Sequence, residues 1–208
     1  LYATAGDDDD NTIKLFDVLT FDLLSILNLN QPATCICWIH KRGSAPVLAA
    51  AVGKEIRIYD GRGEKQEAMH VLSSIHRAPV VAMAYNPTFD CVVSADESGM
   101  IEYWSPNNSF EKPENVFEVK SKTDLFDFKK SRSVPSCISL SPSGHQFAAW
   151  SFPDRRVRVF DFASGKLYRS YDESLETITA MQQAGTALQK LEEVEFGRRM
   201  ATERELDN

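Results

Sequence analysis

The sequence predicts an all-β protein built from a repeated four-stranded unit. A short apolar strand that ends in an aromatic residue, followed by Asp or Ser, recurs four times along the chain. These motifs lie at residues 13–17, 56–60, 101–105 and 157–161. Their last residues are 43, 45 and 56 positions apart, and a period of roughly 40–45 residues with this strand ending is typical of WD-repeat β-propeller blades. The repeat therefore predicts a scaffold, so that function is sought on rims and tails.

The rest of each repeat supplies the other strands of a blade. A small, β-prone run precedes each motif, at residues 1–5, 47–51, 91–95 and 147–151. Turn residues such as Gly53-Lys54 and Ser98-Gly99 separate the two runs, so each pair is expected to form a hairpin. A further strand precedes three of the pairs, at 34–38, 81–85 and 136–140, and a fourth follows at 23–29 and 167–171. Four short antiparallel strands form one blade.

This pattern divides the chain into two parts. Residues 1–171 are predicted to form a WD-repeat propeller segment with blades at about 1–30, 33–73, 80–120 and 134–171, and residues 172–208 a helical linker or tail. The chain begins with Leu1 and enters a blade at its second strand, and about four blades stand at the low end of closed rings. We therefore expect a partial ring from a longer polypeptide, the alternative being a closed four-bladed ring.

Composition favours protein partners over nucleic acid. The net charge is −7 and the isoelectric point is near 5.2, whereas a nucleic-acid-binding face needs clustered Lys and Arg. Two basic segments exist, at 129–132 and at Arg155-Arg156, and they leave room for at most a minor direct contact with RNA. No apolar run approaches the roughly 18–20 residues of a membrane span, so a soluble, intracellular protein without membrane contact is expected.

The cysteines are expected to be structural. Aligning the first strands of three blades places Cys35, Ala82 and Cys137 at one position, a slot for small side chains that faces a neighbouring blade. A metal site built from Cys35, Cys37 and His40 is the alternative, but it lacks a second pair of ligands. Four cysteines without disulfide-like spacing fit a reducing compartment. No metal and no cofactor is expected.

No catalytic motif survives inspection. Residues 60–66 begin like a dinucleotide fingerprint, but the third glycine is absent and no helical pattern follows. The sequence has no Gly-x-Ser-x-Gly elbow, no His-Glu-x-x-His and no P-loop. His76 lies in the loop before a first strand, where many WD repeats carry a Gly-His pair. With Ser94 and Trp104 it is predicted to form a structural network in its blade. We therefore expect no catalytic residue and no enzymatic activity within this chain.

Two regions depart from the repeat and are candidates for contacts with partners. The third interval is longer than the others, and its extra residues lie between Pro106 and Arg132; long propeller inserts are expected to run along the rim. After Tyr171 the period becomes helical and Gly185 weakens it. The tail is predicted to dock through an apolar pair four residues apart and its charged neighbours. These candidate docking residues are Phe196, Arg198, Arg199, Met200, Glu203 and Arg204.

Five segments, of which the last is not a propeller feature, resemble one protein family. They are residues 58–63, 98–104, 123–126, 171–175 and 195–201. The chain resembles the cyclophilin-type peptidyl-prolyl isomerases with an N-terminal WD-repeat domain, which associate with the spliceosome in the nucleus. The resemblance implies a propeller and linker that dock onto spliceosomal proteins in pre-mRNA splicing. The family's Phe-His-Arg isomerase motif has no counterpart here, so the implied activity belongs to sequence beyond Asn208. The alternative is a WD-repeat adaptor of another nuclear or cytoplasmic complex without a catalytic domain.

Overall fold

The chain folds into antiparallel sheets followed by two helices. Its structure is a computed structural model that describes residues 1–6, 10–41, 43–107, 109–185 and 193–206; at 193, 199, 203, 204 and 206 it describes the backbone alone. The described residues contain four sheets, each of three or four sequential antiparallel strands. The predicted all-β architecture, a partial propeller followed by a helical tail, is confirmed.

The first two blades follow the predicted hairpin pattern. Blade 1 has three strands, β1 (Tyr2–Ala5), β2 (Thr12–Phe16) and β3 (Leu23–Asn28). Blade 2 has four strands, β4 (Cys35–Ile39), β5 (Val47–Val52), β6 (Glu55–Asp60) and β7 (His70–Leu72). The repeat therefore located every strand except the three-residue β7.

The other two blades differ from one another in their outer strand. Blade 3 has β8 (Val80–Asn86), β9 (Cys91–Asp96) and β10 (Ile101–Trp104). Blade 4 has β11 (Val134–Leu140), β12 (Gln146–Phe152), β13 (Arg156–Asp161) and β14 (Leu167–Asp172). In blade 3 the insert takes the place of the fourth strand. The first strands β4, β8 and β11 lie side by side, as the inner strands of consecutive blades do.

Each motif aromatic packs against the preceding blade. Tyr59, Trp104 and Phe160 are 2%, 1% and 0% exposed. Tyr59 joins the core shared by blades 1 and 2, and Trp104 joins the core shared by blades 2 and 3. Because side chains alternate across a strand, the residues before each aromatic reach the next blade instead. The repeat thus produces cores between the blades.

In blade 1, no sheet among the described residues packs against the face that carries the motif aromatic. Phe16 occupies the motif position but remains partly exposed, and with Tyr2 and Phe21 it lines an open apolar hollow of about 420 Å³. Phe21 is 84% exposed. The equivalent face at Tyr59 is buried by the preceding blade, whereas no sheet among the described residues covers this face of blade 1.

The predicted burial of Cys137 is wrong. Ala82 is buried and Cys35 is partly buried against the core between blades 2 and 3, but Cys137 is exposed. Its strand has the expected register apart from a β-bulge between Pro135 and Cys137. The difference arises because no sheet in the described residues lies on the outer face of blade 4, so its slot for small side chains opens to solvent.

The insert of blade 3 keeps most of its described residues at the surface, while a few of its side chains pack into the core between blades 3 and 4. It contains a single 3₁₀ turn at Lys120–Lys122 and a one-turn helix, α1 (Asp127–Ser131). Leu125 and Phe128 are fully buried in the core that blades 3 and 4 share. The insert is therefore anchored between the two blades by these apolar side chains, while most of its other residues remain exposed.

Two helices follow the last strand. Helix α2 (Leu175–Gln183) begins at Ser174, whose hydroxyl accepts the Thr177 N–H, and ends before Gly185. Gly185 has a φ of +67°, a left-handed conformation that terminates helices and that glycine adopts without strain. Helix α3 (Glu193–Leu206) follows. The glycine that weakened the predicted helix thus marks its end.

Candidate functional site

The predicted network of blade 3 is brought together in the core. Nε2 of His76 lies 2.7 Å from the Ser94 hydroxyl, and Trp104 donates its indole N–H to the same hydroxyl at 3.2 Å. All three side chains are buried. Sequence reasoning missed the fourth member, Asp96, whose carboxylate lies 3.0 Å from His76 Nδ1.

Asp96 also fixes the turn that follows its strand. One carboxylate oxygen accepts the Ser98 N–H at 3.0 Å, the Ser98 hydroxyl at 2.7 Å and the Met100 N–H at 3.1 Å. Desolvation opposes ionisation of Asp96, but the hydrogen bonds from His76 and Ser98 outweigh it and hold its pKa below the ordinary value. The network therefore ties loop, strand and turn of blade 3 into one unit, which is a structural task.

A second polar cluster, which the sequence did not reveal, joins blades 3 and 4. The guanidinium of Arg158 is 1% exposed and donates to Asp127 at 2.5 Å and to Asp154 at 2.6 Å. It also donates to the hydroxyls of Ser151 and Ser131, and it stacks over the ring of Phe128 at 4.7 Å. We call these six residues the Arg158 cluster.

The Arg158 cluster has a clear structural cause. Arg158 follows Val157 in the fourth motif and points toward the preceding blade, as Glu102 does in blade 3. Glu102 is partly exposed and pairs with Lys120, whereas Arg158 is covered by the insert. Burying a charge without compensation is costly, and the carboxylates of Asp127 and Asp154 provide that compensation.

The candidate docking residues of the tail lie along α3. Phe196 and Met200 are half-buried and Arg198 is exposed. The sulfur of Met200 lies 3.8 Å from the Thr179 hydroxyl, so one predicted docking residue touches α2. The side chains of Arg199, Glu203 and Arg204 lie outside the described residues. The arrangement gives an α-helical tail with one apolar contact and leaves its partner-docking role a prediction.

The described residues offer no assembled catalytic group. No cluster of three or more His, Cys, Asp or Glu that could hold a metal ion occurs among them. The thiol of Cys37 donates to the carbonyl of Trp38. Burial raises the pKa of the Cys35 thiol to about 12 and that of the Cys37 thiol to about 11, so both thiols are protonated at neutral pH and are poor nucleophiles.

The described surface carries open clefts. One, of about 440 Å³, lies beside the loop that follows β10 and is lined by Asp90, Glu111 and Lys112, among others. Lys41 pairs with Asp90 at its edge. Of the helices in the described parts of the chain, none has the length and apolar character needed to cross a membrane.

These features define the class of protein. A chain in the crystal structure of the mitotic checkpoint complex, a WD40 propeller, superposes on 82% of this chain with a TM-score of 0.58 at 15% identity, and this chain covers 47% of that one. Such low identity supports the fold alone. The chain is a segment of a WD-repeat β-propeller.

Sequence comparison gives the family. The peptidyl-prolyl cis-trans isomerase cyp15 of Rhizopus delemar is 48% identical over 203 residues, which are 96% of this chain and 32% of that protein. The human peptidylprolyl isomerase domain and WD repeat-containing protein 1 is 43% identical over 213 residues, with 100% of this chain and 32% of that protein covered. The peptidyl-prolyl cis-trans isomerase CYP71 of Arabidopsis thaliana is 38% identical over 203 residues, which are 96% of this chain and 32% of that protein.

The resemblance predicted from the sequence is thereby confirmed at the level of the family. The chain is a homologue of the cyclophilin-type peptidyl-prolyl isomerases that contain WD repeats. It spans about one third of the length of the curated relatives that it matches. No family model matches the chain.

Proposed function

We propose that this chain is the protein-docking scaffold of a nuclear, spliceosome-associated cyclophilin-type isomerase and that the isomerase domain lies outside these residues. The observation that carries the proposal is the match with the human relative, whose name joins an isomerase domain to WD repeats. The matching third is folded here as propeller blades with polar clusters that stabilise them. This arrangement supports a role in holding partner proteins near a catalytic domain.

The propeller and tail suit protein contacts better than catalysis. The His76 network and the guanidinium of Arg158 are buried, and the exposed surfaces are loops, sheet faces and helices. Splicing proteins are the partners that the family resemblance implies, and the acidic net charge of −7 disfavours a broad contact with RNA. We therefore place direct RNA contact second to protein contact.

The tail provides the first test of this role. We expect Phe196→Ser combined with Met200→Ser in the full-length protein to weaken co-purification with spliceosomal proteins. Phe196 and Met200 lie four residues apart on α3, so they form one apolar surface, and the two substitutions remove it. Quantitative mass spectrometry of affinity-purified complexes measures the change. Val194→Ser is the matched control, since Val194 lies on α3 and is 65% exposed.

The outcome separates two roles of the tail. Thermal unfolding of the double variant should stay close to that of the parent, because α2 has no buried residue and the helices lie outside the blade cores. Unchanged co-purification would contradict the docking role of α3 and would move it to the propeller surface. Absence of splicing proteins from the parent complex would contradict the splicing assignment and favour an adaptor of another complex.

Catalysis provides the second test. We expect purified residues 1–208 not to accelerate prolyl cis–trans exchange, because the chain lacks the family's Phe-His-Arg motif and catalytic Arg. The uncatalysed reaction takes tens to hundreds of seconds, so a protease-coupled peptide assay resolves even weak acceleration. A full-length protein serves as the positive control. Acceleration by residues 1–208 that a cyclophilin inhibitor abolishes would place the active site in this chain.

A further inference from the structure

The insert carries three exposed cations on adjoining positions. Lys129 and Lys130 lie in the last turn of α1, and Arg132 is the residue that follows the helix. All three are exposed, and the ion pairs of the described residues include none of them. We call these three residues the basic patch. In a chain with a net charge of −7, such a local excess of positive charge is unusual.

Two carboxylates close to the basic patch in the chain or in the facing turn are already occupied. Asp127 begins the same helix and Asp154 lies in the facing turn of blade 4, and both bind the buried guanidinium of Arg158. Arg158 is 1% exposed and depends on both for charge compensation. Neither carboxylate is therefore free to neutralise the basic patch.

The backbone beneath the basic patch is held firmly. The ring of Phe128 is fully buried between blades 3 and 4. Gly99 packs closely against the backbone of the helix, because a Cβ at this position would lie 2.9 Å from the backbone nitrogen of Lys129. The N–H of Ser133 bonds to the carbonyl of Phe128 at 3.0 Å. Because this turn is fixed before any ligand arrives, binding there orders only side chains and costs less conformational entropy.

The fold itself does not need three cations at this place. Cations near a helix C-terminus interact favourably with its dipole, but α1 has a single turn and Arg132 lies beyond it in the left-handed conformation. None of the three side chains contributes to the cores between the blades. A bound anion would balance the positive charge that the folded chain leaves uncompensated.

We propose that the basic patch binds a phosphorylated serine or threonine in a segment of a partner protein. A phosphoryl group brings close to two negative charges and three acceptor oxygens, which complement the local excess of positive charge. A carboxylate brings one charge and two oxygens, so it fits the patch less completely. A long nucleic acid would also meet the acidic remainder of the chain, which repels it. This proposal deepens the docking role proposed above and rests on it.

Fluorescence anisotropy on the full-length protein tests the patch. The probes are a labelled peptide with one phosphoserine in a neutral sequence, the same peptide with Ser, the same peptide with Glu, and a short labelled oligouridylate. We expect the phosphopeptide to bind more tightly than the other three. Lys129→Glu combined with Lys130→Glu should weaken it by roughly tenfold or more, because it removes two charge-assisted contacts and adds repulsion.

The matched control is Arg62→Glu combined with Lys65→Glu. These residues are exposed in the loop after β6, and their replacement changes the net charge by the same amount, so phosphopeptide binding should stay unchanged. Lys129→Gln combined with Lys130→Gln should show an intermediate loss. Circular dichroism melting of each variant shows that the fold persists.

Three results would overturn the proposal. They are equal binding of the Ser or Glu peptide, unchanged binding by the Lys129→Glu and Lys130→Glu variant, and tighter binding of the oligouridylate than of the phosphopeptide. If these occur while splicing proteins still co-purify with the parent, the phosphate site fails and the docking role stands. Absence of splicing proteins from the parent complex would instead contradict the splicing assignment, whatever the result with the phosphopeptide.

Discussion

Replacing Arg158 by Met is expected to lower the free energy of unfolding by about 3–5 kcal/mol. The substitution removes the guanidinium and leaves the carboxylates of Asp127 and Asp154, 38% and 18% exposed, without their cation at the boundary of blades 3 and 4. It also leaves the hydroxyl of Ser151 without its donor at 2.7 Å. Met keeps most of the volume over the ring of Phe128, so the loss reports on charge and hydrogen bonding more than on packing. Urea unfolding followed by tryptophan fluorescence measures it.

Arg156→Met is the matched control for this prediction. Arg156 lies on the same strand and pairs with Asp172 through two nitrogens at 3.1 and 2.8 Å, but its side chain is 45% exposed. An exposed ion pair contributes about 0–1 kcal/mol, so this variant should unfold almost like the parent. Equal destabilisation by the two substitutions would contradict the role assigned to burial of Arg158.

The same cluster predicts a dependence on pH. Desolvation opposes ionisation of Asp154, but hydrogen bonds from Arg158 and Ser151 outweigh it and hold its pKa below the ordinary value. A carboxylate with a lowered folded-state pKa stabilises the fold above its unfolded-state pKa of about 3.9 and loses that contribution as pH falls through the folded-state pKa. The difference in stability between parent and Arg158→Met should therefore shrink below about pH 4, which unfolding curves at several pH values measure.

The regular part of the fold could be predicted because it repeats. Ser94 and Trp104 lie on two strands of one hairpin with a fixed register, and His76 lies in the loop that leads into the same blade. The same reasoning located the strands and the propeller class. It required no knowledge of which residues lie across a blade boundary.

The irregular part could not be predicted in this way. Arg158 meets Asp127 and Ser131 across 31 and 27 positions, and both partners belong to an insert whose length follows no period. Cys137 has the sequence signature of a buried slot, yet its burial depends on a neighbouring blade and not on its own strand. Interactions that depend on an insert or on another blade are therefore found from the structure.

Trp104→Ala is expected to destabilise the protein by about 3–5 kcal/mol. The indole is 1% exposed and fills the core shared by blades 2 and 3, so its removal leaves a cavity lined by Cys37, Ile58 and Val80 among others. It also takes one donor from the Ser94 hydroxyl. Thermal unfolding monitored by circular dichroism measures the loss.

Trp104→Phe separates the two contributions to this loss. Phe keeps an aromatic ring in the core and removes the indole N–H that donates to Ser94, and a single hydrogen bond of this kind contributes about 1 kcal/mol. The Phe variant should therefore retain much of the stability that Ala loses. If Phe were as damaging as Ala, the polar network of His76, Ser94 and Asp96 would be the main source of blade stability, and not the filling of the core. If neither variant changed stability, the assignment of Trp104 to the boundary between two blades would be wrong, because a side chain of this size cannot leave a packed core without cost.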